Sequence, residues 1–183
     1  MKVVYFKCMK AIFLDRDGTV NVGVPKYERV SSLDKVELLP KTLEAMRLLA
    51  TLDYGVFFIT NQAGISEKLI TMEQFYEIDN KVRELIAPSG VKILKTYLCP
   101  HGEKDDCECR KPKPKLLLDA AREFDIDLKQ SWMLGDRPSD VMTGVNAGTK
   151  TILVKSGVPT VESDQATFTA TTLLEAVQYI SEH

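Results

Sequence analysis

The chain has 183 residues, 44% hydrophobic and 27% charged, the mix of an ordinary globular domain and not of a disordered or fibrous one. Its formal net charge of −2 offers no basic surplus for nucleic acid, and no apolar run approaches the roughly 18–20 residues that span a bilayer. Met1 to Lys10 carries Lys2, Lys7 and Lys10 around a short apolar stretch with no small-residue cleavage site after it. The expectation is therefore a cytoplasmic monomer that binds a small molecule, neither nucleic acid nor membrane, with Met9 as a second candidate start.

Strand and helix patterns alternate along the chain. Lys10 to Leu14 is a short apolar run that ends on Asp15. Pro40 opens an amphipathic helix over Lys41 to Leu52, with Leu43, Met46, Leu49 and Leu52 on one face, and Gly55 ends it. Val56 to Ile59 reads as a buried strand. Thr71 and Gln74 form a capping box for a helix that fades by Pro88-Ser89-Gly90. Ile93 to Leu98 is a third strand, followed by a polar, Cys-bearing loop from Cys99 to Pro114 and a helix over Lys115 to Phe124. Trp132 to Leu134 is a short strand, Ser139 to Ala147 a helix closed by Gly148, and Thr151 to Val154 a fifth strand. Thr172 with Glu175 caps a last helix. This alternation predicts an α/β fold: a three-layer, Rossmann-like parallel sheet with helices on both faces, in one domain over residues 1–183. Ligands of such sheets bind at the carboxyl ends of the strands. Asp15, Thr60 with Asn61, Cys99, and Gly135 with Asp136 all follow strand ends.

Four segments bring chemistry to that edge. In Phe13-Leu14-Asp15-Arg16-Asp17-Gly18-Thr19 two carboxylates leave a buried strand and enter a Gly turn. One carboxylate can attack phosphorus while the other protonates the leaving oxygen and later deprotonates water; a strand-end turn with solvated acids is the rival reading. Ile59-Thr60-Asn61-Gln62 places a hydroxyl and an amide at the next strand end as donors to a phosphoryl group, although an Asn/Thr turn explains this piece alone. Cys109-Arg110-Lys111-Pro112-Lys113-Pro114-Lys115 is a cationic cluster that can neutralise charge on a transferring phosphoryl group. A solvated basic loop is the bland alternative, against which the prolines hold the loop in defined geometry. Met133-Leu134-Gly135-Asp136-Arg137-Pro138-Ser139-Asp140 puts Asp136 at a strand end, with Ser139 or Asp140 as helix caps. Carboxylates that converge repel one another without a cation, and Mg²⁺ suits oxygen ligands while keeping several waters.

A separate cluster lies between these segments. Cys99-Pro100-His101, five further residues, and Cys107-Glu108-Cys109 supply three thiols and an imidazole, the closed tetrahedral set of a structural Zn²⁺. Clustered Cys and His in a chain without an export signal more often bind metal than form disulfides. Free surface thiols, an oxidation liability, are the alternative. Cys8 lies apart and receives no role.

In this order the segments resemble the haloacid-dehalogenase superfamily of phosphatases, from Ala11 to about Gly157. The resemblance implies that Asp15 is the nucleophile and Asp17 the general acid/base. It implies that Thr60 and Lys111 bind the phosphoryl group, and that Asp15, Asp136 and the main-chain carbonyl of Asp17 hold a catalytic Mg²⁺. Asn61 and Arg110 are further candidates to face the substrate. Arg137 and Asp140 would orient the site from behind. The CPH…CxCRKP loop is similar to that of one branch, the heptose bisphosphate and histidinol-phosphate phosphatases, which lack a large cap domain. The stretch between Asp15 and Thr60 leaves no room for one here. Zinc would then order the loop that delivers Arg110 and Lys111.

Thr19 to Val22, Asn61 to Ile65 and Leu153 to Gly157 resemble the heptose side of that branch, and Ser32-Leu33-Asp34-Lys35 the histidinol side. Arg110, Lys26 and Arg29 would serve a second phosphate, whereas Glu28 would serve an amine. The implied activity is Mg²⁺-dependent hydrolysis of a small phosphorylated metabolite, heptose bisphosphate ahead of histidinol phosphate. The rivals are a polynucleotide end phosphatase, a phosphotransferase, and a non-catalytic scaffold of the same fold. The lack of a basic surplus weighs against the first, and the complete set Asp15, Asp17, Thr60, Lys111 and Asp136 against the last.

Overall fold

Alternate residues of the short apolar runs face opposite sides of a sheet, and this builds two cores. The computed structural model describes residues 8–23, 33, 36–156 and 162–183. Met1, Lys2 and Lys7, the substrate candidates Lys26, Glu28 and Arg29, the branch residues Ser32, Asp34 and Lys35, and Gly157 lie outside the described residues.

The strands are β1 (Ala11–Leu14), β2 (Gly55–Asn61), β3 (Ile93–Cys99), β4 (Trp132–Gly135), β5 (Lys150–Val154) and β6 (Phe168–Ala170). They pair in parallel in the order β3-β2-β1-β4-β5-β6. Ile12, Leu14, Phe58, Trp132 and Leu134 face helices α1 (Thr42–Leu49), α3 (Met72–Ile86) and α6 (Leu173–Glu182). Ala11, Phe13, Phe57, Ile59 and Met133 face α4 (Lys115–Phe124) and the end of α5 (Pro138–Ala147). Burying each large apolar side chain contributes roughly 1.5–3 kcal/mol, and Phe13, Phe57, Phe58 and Trp132 are among the largest fully buried ones. The predicted three layers are thus present. Among the described residues only α1 lies between Asp15 and the last turn of chain before β2, and no cap domain covers the carboxyl edge.

Local signals account for most helix ends. Thr71 and Gln74 form the capping box of α3, with bonds of 2.9 and 3.2 Å. Gly148 closes α5 in the left-handed conformation that glycine takes without strain. Four elements differ from expectation. The first helix begins at Thr42, because Lys41 takes a left-handed φ of 64°, and it ends at Leu49, leaving Leu52 in the turn that follows. At α6 the Thr172 hydroxyl accepts from the Glu175 N–H, but the Glu175 carboxylate reaches back to Thr171 instead of Thr172. The sixth strand, and the one-turn helix α2 (Ala63–Ser66), were not expected; elements this short show no periodicity. No helix among the described residues is long and apolar enough to cross a membrane.

Candidate active site

The chain leaves β1 for β2 and β3 on one side and later returns through β4, β5 and β6 on the other. The end of β1 is therefore the switch point where a crevice opens in such sheets. A cavity of about 1430 Å³ lies there, and Asp15, Asp17, Thr60, Lys111 and Asp140 line it.

The β1 turn is held by its own main chain. The Asp15 N–H donates to Leu134 O at 2.8 Å, and the Arg16 carbonyl accepts from the N–H groups of Val20 and Asn21. Gly18 takes φ +95°, and a Cβ there would run into the Asp136 carboxylate, so this glycine permits the close approach of the β1 and β4 loops.

Asp15 and Asp136 are buried, at 7% and 2% exposure, and with Asp140 they bring carboxylate oxygens within 4.8 Å of one another. Lys111 enters this cluster. Its Nζ donates to Asp15 Oδ1 at 2.5 Å and to Ile59 O at 2.9 Å, and pairs with Asp140 Oδ1 at 2.6 Å. Burial pushes the Asp15 carboxyl up to about 8; Lys111 opposes this, while Asp140 and Asp136 add to it. Burial and then Asp140 also raise the Asp136 pKa. Burial alone would lower the Lys111 pKa, but Asp140 and Asp15 outweigh it and hold the ammonium charged. One ammonium does not offset three carboxylates, and Asp136 Oδ1 is buried with no hydrogen-bond partner. An oxygen-only donor set with surplus negative charge and an orphaned acceptor fits Mg²⁺. The Asp17 side chain is not part of this set.

Asp17 points elsewhere. Its Oδ1 accepts from Asn21 Nδ2 at 2.9 Å and from Arg16 Nε at 3.2 Å, and its Oδ2 from Gln62 Nε2 at 2.7 Å and Arg16 Nη2 at 2.8 Å. Burial would raise its pKa, but Arg16 and these hydrogen bonds prevail and hold it below the usual carboxylate range. Thr60 is 1% exposed, and its hydroxyl accepts from the same Gln62 amide at 2.8 Å. Arg110 lines the cavity while its guanidinium reaches His101 O at 3.1 Å and Glu103 at 3.4 Å. Arg137 is exposed at the start of α5, and its main-chain N–H donates to Asp140 Oδ2 at 3.0 Å. Asp140 thereby combines a helix cap with the ion pair to Lys111.

Asn61 lines the cavity, as a substrate-facing residue must, and its amide also reaches the Cys-bearing loop. Its Oδ1 accepts from the Lys111 N–H at 3.1 Å, and its Nδ2 donates to the Lys111 carbonyl at 3.3 Å. An amide that matches a peptide at both ends pins the Lys111 main chain, so this side chain is also a positioning group. Arg16, Asn21 and Gln62 were missed from the sequence, although they sit inside or beside the motifs that drew notice.

The Cys/His loop gathers as expected. Cys99 Sγ lies 3.6 Å from Cys107 Sγ and 3.0 Å from Cys109 Sγ, and the Cys107 and Cys109 sulfurs are 3.9 Å apart. His101 Nδ1 is 3.4 Å from Cys109 Sγ and 3.6 Å from Cys99 Sγ. A tetrahedral Zn²⁺ with Zn–S of about 2.3 Å has S···S edges of roughly 3.8 Å, so all but the shortest edge match. No disulfide joins these cysteines. The loop is tied to the catalytic edge: Cys99 O accepts from the Gln62 N–H at 2.8 Å, and Pro100 O from the Ser66 N–H at 3.1 Å.

These ties predict a measurable coupling. A Cys107→Ser/Cys109→Ser variant should lose zinc, about one equivalent per chain by metal analysis, and lose phosphatase activity by roughly 10²-fold, the cost of a misplacement near 1 Å. Its far-UV spectrum should stay unchanged, because the strands and helices have their own apolar cores. Full activity without zinc would show that the order of the loop does not matter to the site.

Fold and site together define a hydrolase of the haloacid-dehalogenase type, and a family described as HAD-hydrolase-like matches residues 108–178. The D-glycero-beta-D-manno-heptose-1,7-bisphosphate 7-phosphatase of Pasteurella multocida is 39% identical over 160 residues, covering 84% of this chain and 85% of that protein. The D-glycero-alpha-D-manno-heptose-1,7-bisphosphate 7-phosphatase of Campylobacter jejuni is also 39% identical, over 79% of this chain and 81% of that one. The crystal structure of the D,D-heptose 1,7-bisphosphate phosphatase of B. bronchiseptica, complexed with magnesium and phosphate, superposes with a TM-score of 0.86 at 31% identity. That match covers 95% of this chain and 99% of the other. The chain belongs to the heptose bisphosphate phosphatase family of the haloacid-dehalogenase superfamily.

Proposed function

We propose that this protein removes the 7-phosphate of a D-glycero-D-manno-heptose 1,7-bisphosphate through an aspartyl-phosphate on Asp15. The observation that carries this reading is the buried Asp15–Lys111 contact of 2.5 Å at the floor of the cavity, with Asp136 beside it. The relatives named for this substrate supply the choice of ester.

Asp15 attacks phosphorus, the bond from phosphorus to the sugar oxygen breaks, and Asp17 gives its proton to the departing alkoxide. Water then attacks the phosphorus of the acyl phosphate, Asp17 takes back a proton, and inorganic phosphate and the Asp15 carboxylate are regenerated. The phosphate dianion arriving near Asp17 disfavours its charged form and so favours the proton it must give. Thr60 donates to the phosphoryl group, and Lys111 balances its charge. Asp15 and Asp136, with the Asp17 carbonyl, would hold Mg²⁺, and Asp140 and Arg137 orient them. The bound ion supplies electrostatic stabilisation of the phosphoryl oxygens. Cys99, His101, Cys107 and Cys109 would hold a structural Zn²⁺. Asn61 fixes Lys111, and Arg110 at the cavity wall, with Lys104 and Lys113 along the same wall, would face the second phosphate.

The test is a phosphate-release screen with Mg²⁺ that sets both anomers of the heptose bisphosphate beside histidinol phosphate and a DNA 3′-phosphate. The heptose bisphosphate should exceed the others by at least about 10²-fold in kcat/KM, since a site built for a second charged group rejects esters that lack it. Preference for histidinol phosphate would overturn the substrate, and no turnover of any ester would overturn the enzyme.

A further inference from the structure

Arg16 stands between the two motif carboxylates, and its side chain is 2% exposed. Its guanidinium folds back on its neighbour in a fork, Nε to Asp17 Oδ1 at 3.2 Å and Nη2 to Asp17 Oδ2 at 2.8 Å. The remaining nitrogen, Nη1, faces Asp79 Oδ1 at 3.5 Å. Asp79 is on α3, and its side chain is 5% exposed. Its other oxygen accepts from Arg83 Nε at 2.8 Å and from Thr96 Oγ1 at 2.9 Å. Arg83 is anchored in turn to Ile93 O at 2.8 Å and Thr96 Oγ1 at 2.6 Å. Phe75 lies under the Arg16 guanidinium, 5.1 Å from ring centre to Cζ.

Alternating charges, Asp17, Arg16, Asp79 and Arg83, thus run from the cavity through α3 to β3. Buried ion pairs are weak contributors to stability, and packed apolar side chains of the same volume often do as well. The apolar neighbours Phe75, Ile78 and Val82 show that α3 is otherwise built that way here. What the chain of charges adds is geometry. A long side chain bonded only to the adjacent residue moves with it; one also held by a rigid helix gives that residue a fixed reference.

Resting on the general acid/base reading of Asp17 above, we propose that Asp79 is a positioning residue for catalysis: it fixes the Arg16 fork and so aims Asp17 at the leaving oxygen. It touches neither substrate nor metal. Its contribution should therefore scale with how much the leaving group needs a proton, a dependence that a merely structural role would not produce.

The test compares one step with two esters. With the enzyme in excess, rapid quench reads cleavage of the heptose bisphosphate, and stopped flow reads nitrophenolate release from p-nitrophenyl phosphate, whose leaving group departs without a proton. Asp79→Asn keeps groups that can face Arg83 and Thr96 but removes the charge facing Arg16. It should slow cleavage of the sugar phosphate by roughly 10–10²-fold, with KM unchanged, and leave the nitrophenolate step within about 3-fold of wild type. Equal losses with both esters, or no loss with the sugar phosphate, would overturn the proposal. Asp17→Asn is the control and should show the same selectivity, larger. If it shows none, the reading of Asp17 has failed; if it shows selectivity and Asp79→Asn does not, only the role of Asp79 has failed. Should Asp79→Asn not fold, Arg83→Gln, at a side chain 29% exposed whose loss loosens Asp79, carries the same comparison with the same overturning outcomes.

Discussion

Asp15→Asn is expected to abolish turnover while leaving the fold in place. An amide of nearly the same volume cannot attack phosphorus, and removing a covalent nucleophile costs on the order of 10⁶-fold in other hydrolases. Stability should be kept, because the carboxyl replaced is one whose charge burial already opposes, and Lys111 retains Asp140 and Ile59 O as partners. Acid-quenched wild-type protein should carry covalent phosphate, and the variant should carry none, with thermal unfolding unchanged. A phosphoenzyme that survives in the variant would assign the nucleophile to another residue.

Lys111→Met should be costly in both rate and stability. Lys111 is 3% exposed, and its ammonium is the cation facing both Asp15 and Asp140. Breaking a buried pair from one side leaves the other charge uncompensated, a loss of about 3–5 kcal/mol. The Ile59 carbonyl loses its hydrogen bond from the ammonium as well. Loss of one preorganised cation at the transferring phosphoryl group lowers kcat by roughly 10²–10³-fold. Lys111→Arg should rescue little, since a planar fork does not fill the place of a compact ammonium that meets three oxygens. A melting temperature and a kcat both close to wild type in Lys111→Met would remove Lys111 from the site.

The two effects separate the roles of neighbouring groups. On the proposed mechanism Asp15 would matter for bond making and be nearly neutral to folding, whereas Lys111 would serve both, because it is a charged side chain among buried carboxylates. Asn61 is linked to Lys111 through its amide on the Lys111 main chain, so part of its effect on rate should pass through the lysine.

Much of this was legible in the chain itself. Apolar runs of strand length, caps such as Thr71 with Gln74, and the stop at Gly148 are local signals, and the structure places them within a few residues of where periodicity does. The strand-end positions of Asp15, Thr60 and Asp136 follow from the same local patterns, to within the two polar residues by which β2 outruns its apolar stretch. The metal-type set Cys99, His101, Cys107 and Cys109 lies within one loop, so its convergence needs little from the rest of the fold.

What only the tertiary structure decided is where side chains from different elements meet. Arg16 and Asp79 lie 63 residues apart, and Asn61 and Lys111 50 apart. Nothing in local spacing announces either pair, since their contact depends on how α3 and the Cys-bearing loop dock against the sheet. Gln62 reads as a turn residue until β2 is seen to end beside the β1 loop, where its amide serves Asp17 and Thr60 together. β6 becomes a strand only because β5 offers it an edge to pair with. Backbone periodicity is a property of neighbours along the chain and can be read there. Hydrogen bonds and ion pairs between distant groups depend on the packing of whole elements, with tolerances of a few tenths of an ångström that no sequence pattern records.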